Sequence, residues 1–177
     1  MTVNNEGSVK PMTNTHWHYW LLGIALVLAL LWGVNLVNHN RGNAQAESST
    51  TELDQLRTTL LADTTSLRGN WLRTLNPLVQ DVQGDLVWNK QQQQGVMRFI
   101  NLPNPNTGKY YQLLIYDTHS VDSKPISGAV LHTGSGKTET LNAISPQTHI
   151  TEPYKFELVL RSDNVDEKPQ LLLMVQP

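Results

Sequence analysis

The stretch YKFELVLR, residues 154–161, determines the fold class because its apolar and polar side chains alternate. Tyr154, Phe156, Leu158 and Leu160 share one face of an extended chain. Alternation with a period of two is typical of a β-strand with one buried face. The stretch therefore predicts a half-buried strand and assigns the C-terminal part of the chain to the β classes.

Other short segments of the C-terminal part also have strand character and are separated by turn sequences. Predicted strands cover residues 86–88, 96–100, 110–116, 128–133 and 171–175. Turn sequences such as NPNTG at 104–108 and SP at 145–146 lie between them. Short strands at this spacing are typical of an antiparallel sandwich or barrel. We favour a mainly β fold, an antiparallel β-sandwich domain over residues 71–177.

A short helix is predicted just before this domain. Leu53, Leu56, Leu60 and Leu67 recur at intervals of three, four and seven residues, after the capping residues Ser49–Glu52. This spacing predicts an amphipathic helix over 52–68, close to the membrane. It serves either as a coiled coil or as a helix docked on the following domain. Residues 38–51 are polar and are predicted to form a linker.

The apolar run WHYWLLGIALVLALLWGVNLV, residues 17–37, lacks Lys, Arg, Asp and Glu. Its length of about 20 residues matches a single transmembrane helix. A cleavable signal peptide is the alternative, since Ala44-Gln45-Ala46 resembles a cleavage site after Ala46. The run is longer than the usual apolar core of a signal peptide, so an uncleaved anchor is favoured.

The lengths of the flanking segments predict the orientation of this anchor. Residues 1–16 are too few to form a domain, so we expect a cytoplasmic stub and an extracytoplasmic, periplasmic C-terminal domain on the inner (cytoplasmic) membrane. Within the run, small residues recur every four positions at Ala25, Ala29 and Gly33. Such a stripe lets transmembrane helices approach closely, which predicts helix packing and a possible homo-oligomer.

The motifs that could carry chemistry give no support for an enzyme. TGSGKT, residues 133–138, resembles the end of a phosphate-binding loop, but Leu131 stands where that loop needs a small residue. We interpret the segment as a Gly-Ser-Gly hairpin turn. The six histidines include no i, i+4 pair, and the chain has no cysteine. We therefore predict no catalytic residues, no metal and no cofactor.

The charge balance disfavours nucleic acid as a partner. The net charge is −2, and the sequence has no strongly basic cluster. Nucleic-acid-binding domains usually carry a basic patch or stripe for the phosphate backbone. We therefore expect a membrane and another protein as the partners of this chain.

Several stretches, taken in order, resemble a known family. They are GDLVWN at 84–89, GVMRFINLP at 95–103, YQLLIYD at 111–117, PISGAVL at 125–131 and FELVL at 156–160. Together they resemble the extracytoplasmic C-terminal domain of the anti-sigma-K factor family. The positions that match its motifs are Trp88, Leu102, Pro103, Tyr111, Gln112, Leu113, Gly128 and Phe156. Leu114 and Arg161 depart from the family pattern, which has Trp and Glu there.

The resemblance implies a membrane-anchored outer module that takes part in envelope signalling and in the regulation of sigma factor activity. Family members that act as anti-sigma factors also carry a cytoplasmic helical domain that holds the sigma factor. Residues 1–16 are too short for such a domain, so we expect a separate partner, such as a sigma-regulatory protein. A structural subunit of an envelope complex, without a signalling role, is the alternative.

Overall fold

The computed structural model describes residues 49–120 and 124–177. The predicted stub 1–16, the predicted transmembrane helix 17–37 with Ala25, Ala29 and Gly33, and most of the linker 38–51 lie outside the described residues. Within the described ranges, no helix combines the length and apolar character that crossing a membrane requires.

The described chain is mainly β, with two antiparallel sheets and one α-helix. The helix α1 covers residues 49–62, and a short 3-10 helix covers Pro77–Val79. The strands are β1 Leu67–Asn70, β2 Leu72–Arg73, β3 Gln83–Asn89, β4 Gln94–Ile100, β5 Lys109–Asp117, β6 Ile126–Leu131, β7 Glu139–Ile144, β8 Pro153–Ser162 and β9 Gln170–Val175. Sheet A has the order β1-β3-β4-β7 and sheet B the order β2-β9-β8-β5-β6. The prediction of a mainly β fold is confirmed.

One hydrophobic core receives side chains from both sheets. Trp88 and Phe99 enter it from sheet A, and Tyr111, Phe156 and Leu172 enter it from sheet B. All five are at most 1 % exposed. The sheets therefore lie on either side of a shared core, and burial of these large side chains is the main favourable contribution to folding.

Strand β8 keeps the predicted alternation, but its outer face is not polar and exposed throughout. Phe156, Leu158 and Leu160 lie in the core as expected, whereas Tyr154, predicted on the same face, is 50 % exposed. Glu157, on the opposite face, is also buried, and its carboxylate accepts a hydrogen bond from the Tyr116 hydroxyl at 2.7 Å. Lys155 lies 2.9 Å from the same carboxylate. Neighbouring side chains therefore cover part of the face that the pattern assigned to solvent.

Helix α1 packs against the outer face of sheet A. Leu53, Leu56 and Leu60 form a second, smaller cluster with Val87 and Val96. This arrangement corresponds to the predicted alternative in which the helix docks on the following domain. It also needs no partner helix, because the sheet already covers the apolar stripe.

The predicted bounds of this helix, 52–68, are corrected by the structure. The helix is already formed at residue 49 and ends at 62, where Asp63 accepts hydrogen bonds from the N–H and hydroxyl of Thr65. Such local bonds compete with the helical ladder and end it. Leu67 lies in β1 and packs against the main core, so the β domain begins before the predicted residue 71.

The two ends of the β domain can be defined by the course of α1. At the near end, Thr50 and Asp54 of α1 border Glu139 at the start of β7. Strands β3 and β5 also begin there, and β4 ends there, as their registers require. At the far end, α1 finishes and Asp63 accepts a hydrogen bond from Asn89, the last residue of β3. The first described residue of α1, residue 49, therefore lies at the near end.

The predicted Gly-Ser-Gly hairpin is also corrected. Strand β6, before the segment, lies at the edge of sheet B, whereas β7, after it, lies at the edge of sheet A. The segment around Ser135 is therefore a crossover between two sheets and joins no hairpin. Its turn is fixed by long-range bonds to Leu102, which a local pattern does not report.

Candidate functional site

A cleft of about 690 Å³ runs along β6 to the far end of the β domain. One wall is β6, and the other is formed by the connection between β7 and β8 and by the turn after β5. The lining side chains include Asp117, His119, Lys124, Ser127, Val130, Ser145, Gln147 and His149.

Strand β6 forms the open edge of sheet B. Ile126, Ala129 and Leu131 point toward the core, and Val130 on the other face is 47 % exposed. Along its outer edge, the Gly128 carbonyl accepts a hydrogen bond from the Ser145 N–H at 2.9 Å. In the described part of the chain β5 is the one strand that pairs with β6. An edge of this kind presents backbone donors and acceptors to another chain.

Gly128 lies close to core side chains, whose terminal methyl groups would have to shift for a larger residue. A Cβ atom at this position would lie 2.8 Å from Ile115 and 2.9 Å from Leu113. The pairing of β5 with β6 shifts register at this point, between Leu113 and Leu114. The strand therefore bends at a bulge, a feature common at sheet edges and beside functional sites.

Asp117 holds the two loops of the cleft together. Its buried carboxylate accepts hydrogen bonds from the N–H groups of His119 at 2.9 Å, Thr151 at 2.5 Å and Glu152 at 3.1 Å. Burial by itself raises the pKa of Asp117, but these backbone hydrogen bonds outweigh it and lower the pKa below the usual value. Asp117 is therefore ionised at neutral pH and acts as a structural link at the floor of the cleft.

His119 lies at the mouth of the cleft, where its side chain is 61 % exposed. Its Nδ1 lies 3.1 Å from the Thr118 hydroxyl, 3.6 Å from the Glu152 carboxylate and 3.8 Å from the Asp117 carboxylate. The ring is thus placed by the Thr118 hydroxyl and remains exposed to an incoming chain. The described residues contain no cluster of three or more His, Asp or Glu arranged for a metal ion.

The eight family-motif positions belong mainly to the core. Trp88, Leu102, Tyr111, Leu113 and Phe156 are all at most 1 % exposed. The remaining three make local contacts: the Pro103 carbonyl accepts a hydrogen bond from the Tyr111 hydroxyl at 2.8 Å, the Gln112 amide donates to Ser127 at 2.8 Å, and Gly128 lines the cleft. These positions therefore mainly account for folding.

The cleft residues Asp117 and His119 and the adjacent Glu152 were not predicted as site residues from the sequence. The sequence did contain a local signal for a turn, the DTHS segment at residues 117–120 after a predicted strand. An aspartate in that place often accepts a hydrogen bond from the backbone two residues later and so closes a turn. Its partners Thr151 and Glu152 follow more than 30 positions later. A local pattern could not have indicated that contact.

The segment that resembles a phosphate-binding loop uses its backbone donors within the protein. The N–H groups of Ser135 and Gly136 both donate to the Leu102 carbonyl, at 2.9 and 3.0 Å. The Gly134 N–H donates to the Asn104 side chain at 2.8 Å. A phosphate loop needs such donors directed at the ligand. The segment is therefore a structural crossover.

No family model, curated protein or solved structure matches this chain.

Proposed function

We propose that this chain is a membrane-anchored extracytoplasmic interaction module that acts in envelope signalling by binding a protein partner. In this proposal residues 17–37 are the anchor, the outer part is a β-sandwich, and the module resembles the outer domain of an anti-sigma factor. The observation that carries the proposal is the edge strand β6 with a cleft beside it, where Ser145 occupies one backbone group of the edge, the Gly128 carbonyl. The apolar run and the order of the family-like stretches support the membrane setting.

Strand addition is the binding mode that the cleft favours. An extended segment of the partner would pair with the part of the β6 edge that Ser145 does not occupy, where main-chain hydrogen bonds provide affinity. Side chains at the cleft, among them Val130, His119 and His149, would provide selectivity. The Asp117 bonds fix the loop that carries His119, so little ordering is needed when the partner binds.

Site-specific photo-crosslinking tests this mode on the full chain in its native membrane. A photoreactive amino acid at Val130 is expected to yield a discrete adduct with another protein. The matched control is Val165, a second exposed valine that lies in the loop between β8 and β9, away from the cleft. Adducts of equal yield at both positions, or none at Val130, would contradict binding at β6.

The anchor is tested separately by mass spectrometry of the protein from the membrane fraction. An intact N-terminus supports the anchor, whereas a chain that starts at Glu47 indicates a cleaved signal peptide. Alkaline phosphatase fused after Pro177 is expected to be active, because that enzyme folds outside the cytosol. An inactive but stable fusion would reverse the proposed orientation.

The alternative function, a structural subunit of an envelope complex, is supported by the same edge strand. A strand at a sheet edge can also pair permanently with a neighbouring subunit. Purification in mild detergent separates the two hypotheses. A stoichiometric complex that persists in every growth condition favours a structural subunit. An adduct at Val130 that changes with envelope stress favours the regulatory module.

A further inference from the structure

The near end of the β domain displays apolar side chains on an ordered loop. Leu75 is fully exposed and Leu78 is 45 % exposed, although both belong to the short segment between β2 and β3. Burying a leucine side chain contributes about 1.5–3 kcal/mol. Two exposed leucines in one short loop therefore favour contact with an apolar partner. Single exposed apolar residues need no such explanation.

The loop that carries these leucines is held in one conformation. Asn76 caps the short 3-10 helix by accepting a hydrogen bond from the Leu78 N–H at 3.0 Å. Thr74 donates its N–H to the Leu172 carbonyl at 3.0 Å, and Val79 is completely buried. The leucines are therefore presented outward by a loop whose base is part of the core.

Basic side chains border the same surface. Arg73 and Lys137 line one recess together with Leu78, and Asp81 is the acidic residue of that recess. The Arg73 guanidinium donates to the Gln80 carbonyl, which holds it beside the loop. An apolar tip flanked by cations is the combination that favours a bilayer surface with anionic headgroups.

The length of the chain between the predicted anchor and α1 limits how far this surface can lie from a bilayer. Asn101, next to β4 at the near end, donates to the Asp81 carbonyl at 3.2 Å, so the loop lies at the end where α1 begins. The eleven residues 38–48 separate the apolar run from α1 and span at most about 40 Å when fully extended. A bilayer that holds residues 17–37 would therefore lie within reach of the near end.

We infer that the near end rests on the outer surface of the bilayer, with Leu75 and Leu78 inserted at the headgroup level and Arg73 and Lys137 beside anionic lipid. This inference rests on the anchor in the proposed function and adds a second, peripheral membrane contact. The far-end cleft would then face away from the membrane and toward a partner.

Fluorescence quenching on the full chain in lipid nanodiscs tests the contact. Because the chain has no cysteine, single labels can be placed through Leu78→Cys and through the control Tyr154→Cys, which are 45 % and 50 % exposed in the native chain. Tyr154 lies at the start of β8, at the far end. Lipids with a shallow spin label are expected to quench the label at 78 several-fold more than the label at 154.

A second variant tests the role of the leucine pair. Leu75→Asp in the Leu78→Cys background is expected to reduce quenching at 78 to the level of the control, with an unchanged near-ultraviolet circular dichroism spectrum. Replacing anionic phosphatidylglycerol by phosphatidylcholine is expected to weaken quenching at 78, through the loss of the Arg73 and Lys137 contacts.

Equal quenching at 78 and 154 in a chain that is inserted in the nanodisc would overturn the inference and leave the anchor intact. Full-length protein that fails to float with vesicles after a carbonate wash would instead overturn the anchor, and this inference with it. Strong quenching at 78 that persists with Leu75→Asp and in neutral lipid would also overturn the assigned contact.

Discussion

At the near end of the β domain Trp71 stacks on Phe99 with ring centroids 5.2 Å apart, whereas at the far end Asp117 accepts three backbone N–H groups. The near end is thus held mainly by apolar packing and close backbone contacts, and its ion pairs, Lys109 with Glu167 and Arg98 with Glu139, lie at the surface. The far end is held by hydrogen bonds between side chains and the backbone. Besides those of Asp117, the Gln93 side-chain amide donates one hydrogen bond to the Ile150 carbonyl and accepts one from the Ile150 N–H.

This difference predicts different responses of the two ends to solution conditions. Apolar packing does not change when carboxylates are protonated, but a network built on an ionised acceptor does. The far end, which carries the candidate binding cleft, should therefore be the adjustable part of the domain. The near end should respond less, because its carboxylates, Glu139 and Glu167, form partly exposed ion pairs that contribute little to stability.

The largest expected effect is the loss of the aromatic stack at the near end. Phe99→Ala is expected to lower the free energy of unfolding by about 3–5 kcal/mol, because it removes a fully buried ring. Urea denaturation followed by tryptophan fluorescence measures this loss. Phe99→Leu is the control and should cost much less, and a loss below about 1 kcal/mol for Phe99→Ala would contradict the assigned packing.

A close backbone contact supplies the next effect. Gly134→Ala would place a Cβ atom 2.1 Å from the Pro103 carbonyl oxygen and is expected to cost about 3 kcal/mol. Gly136→Ala is the matched control, since no atom lies within 4 Å there and the cost of its positive φ of 57° is about 1 kcal/mol. Chemical denaturation of both variants measures the difference. Equal losses would mean that the crossover does not depend on close approach at 134.

The far end supplies the effect that depends on pH. Asp117→Asn is expected to cost about 2 kcal/mol at pH 7, because three backbone N–H groups lose their charged acceptor. The pKa of Asp117 is lower in the folded protein than in the unfolded chain, where it is about 3.9. The stabilisation is therefore complete well above that value and is lost as the pH falls through the folded pKa.

Urea titrations between neutral and acidic pH test this dependence. The wild-type chain should lose stability at acidic pH more steeply than Asp117→Asn, and amide exchange should accelerate at 149–152 before it does at 134–138. Asp166→Asn, an exposed substitution at the near end, should keep the wild-type slope. Parallel pH profiles for wild type and Asp117→Asn would contradict the proposed difference between the two ends.

The smallest effect concerns a single hydrogen bond near the crossover. Tyr111→Phe is expected to cost about 1 kcal/mol, since it leaves the Pro103 carbonyl without the hydroxyl donor at 2.8 Å. Burial raises the pKa of Tyr111 to about 12, so the hydroxyl remains protonated and a donor over the whole neutral range. A loss equal to that of Phe99→Ala would mean that the ring packing, rather than the bond, had been disturbed.

Local patterns in the sequence predicted the parts of the fold that depend on neighbouring residues. The alternation in residues 154–161 predicted β8, and the leucine spacing predicted α1 as far as Leu60, because one face of each element is buried. Strand β7, ETLNAI, has few apolar residues and was not predicted. It is stable as a strand because β4 pairs with it along its whole length.

The candidate site could not be predicted in the same way. Its acceptor Asp117 and its donors at 151 and 152 meet because β5 pairs with β8 in a register that places Asp117 opposite Pro153. The bonds between Ser135 and Leu102 likewise join segments 33 positions apart. Such contacts depend on sheet topology, which a single sequence does not specify.

The direction of α1 has a mechanical consequence. The helix lies alongside β3, with its first residues at the near end and Arg57 paired with Asp85 at 2.8 Å about midway. Tension applied to the chain at residue 49, directed away from the near end, would pull α1 along its own axis. The leucine contacts and the ion pair would then bear the load together, in shear, instead of separating one after another. The β domain would resist such a pull until α1 slid as a unit and exposed the outer face of sheet A.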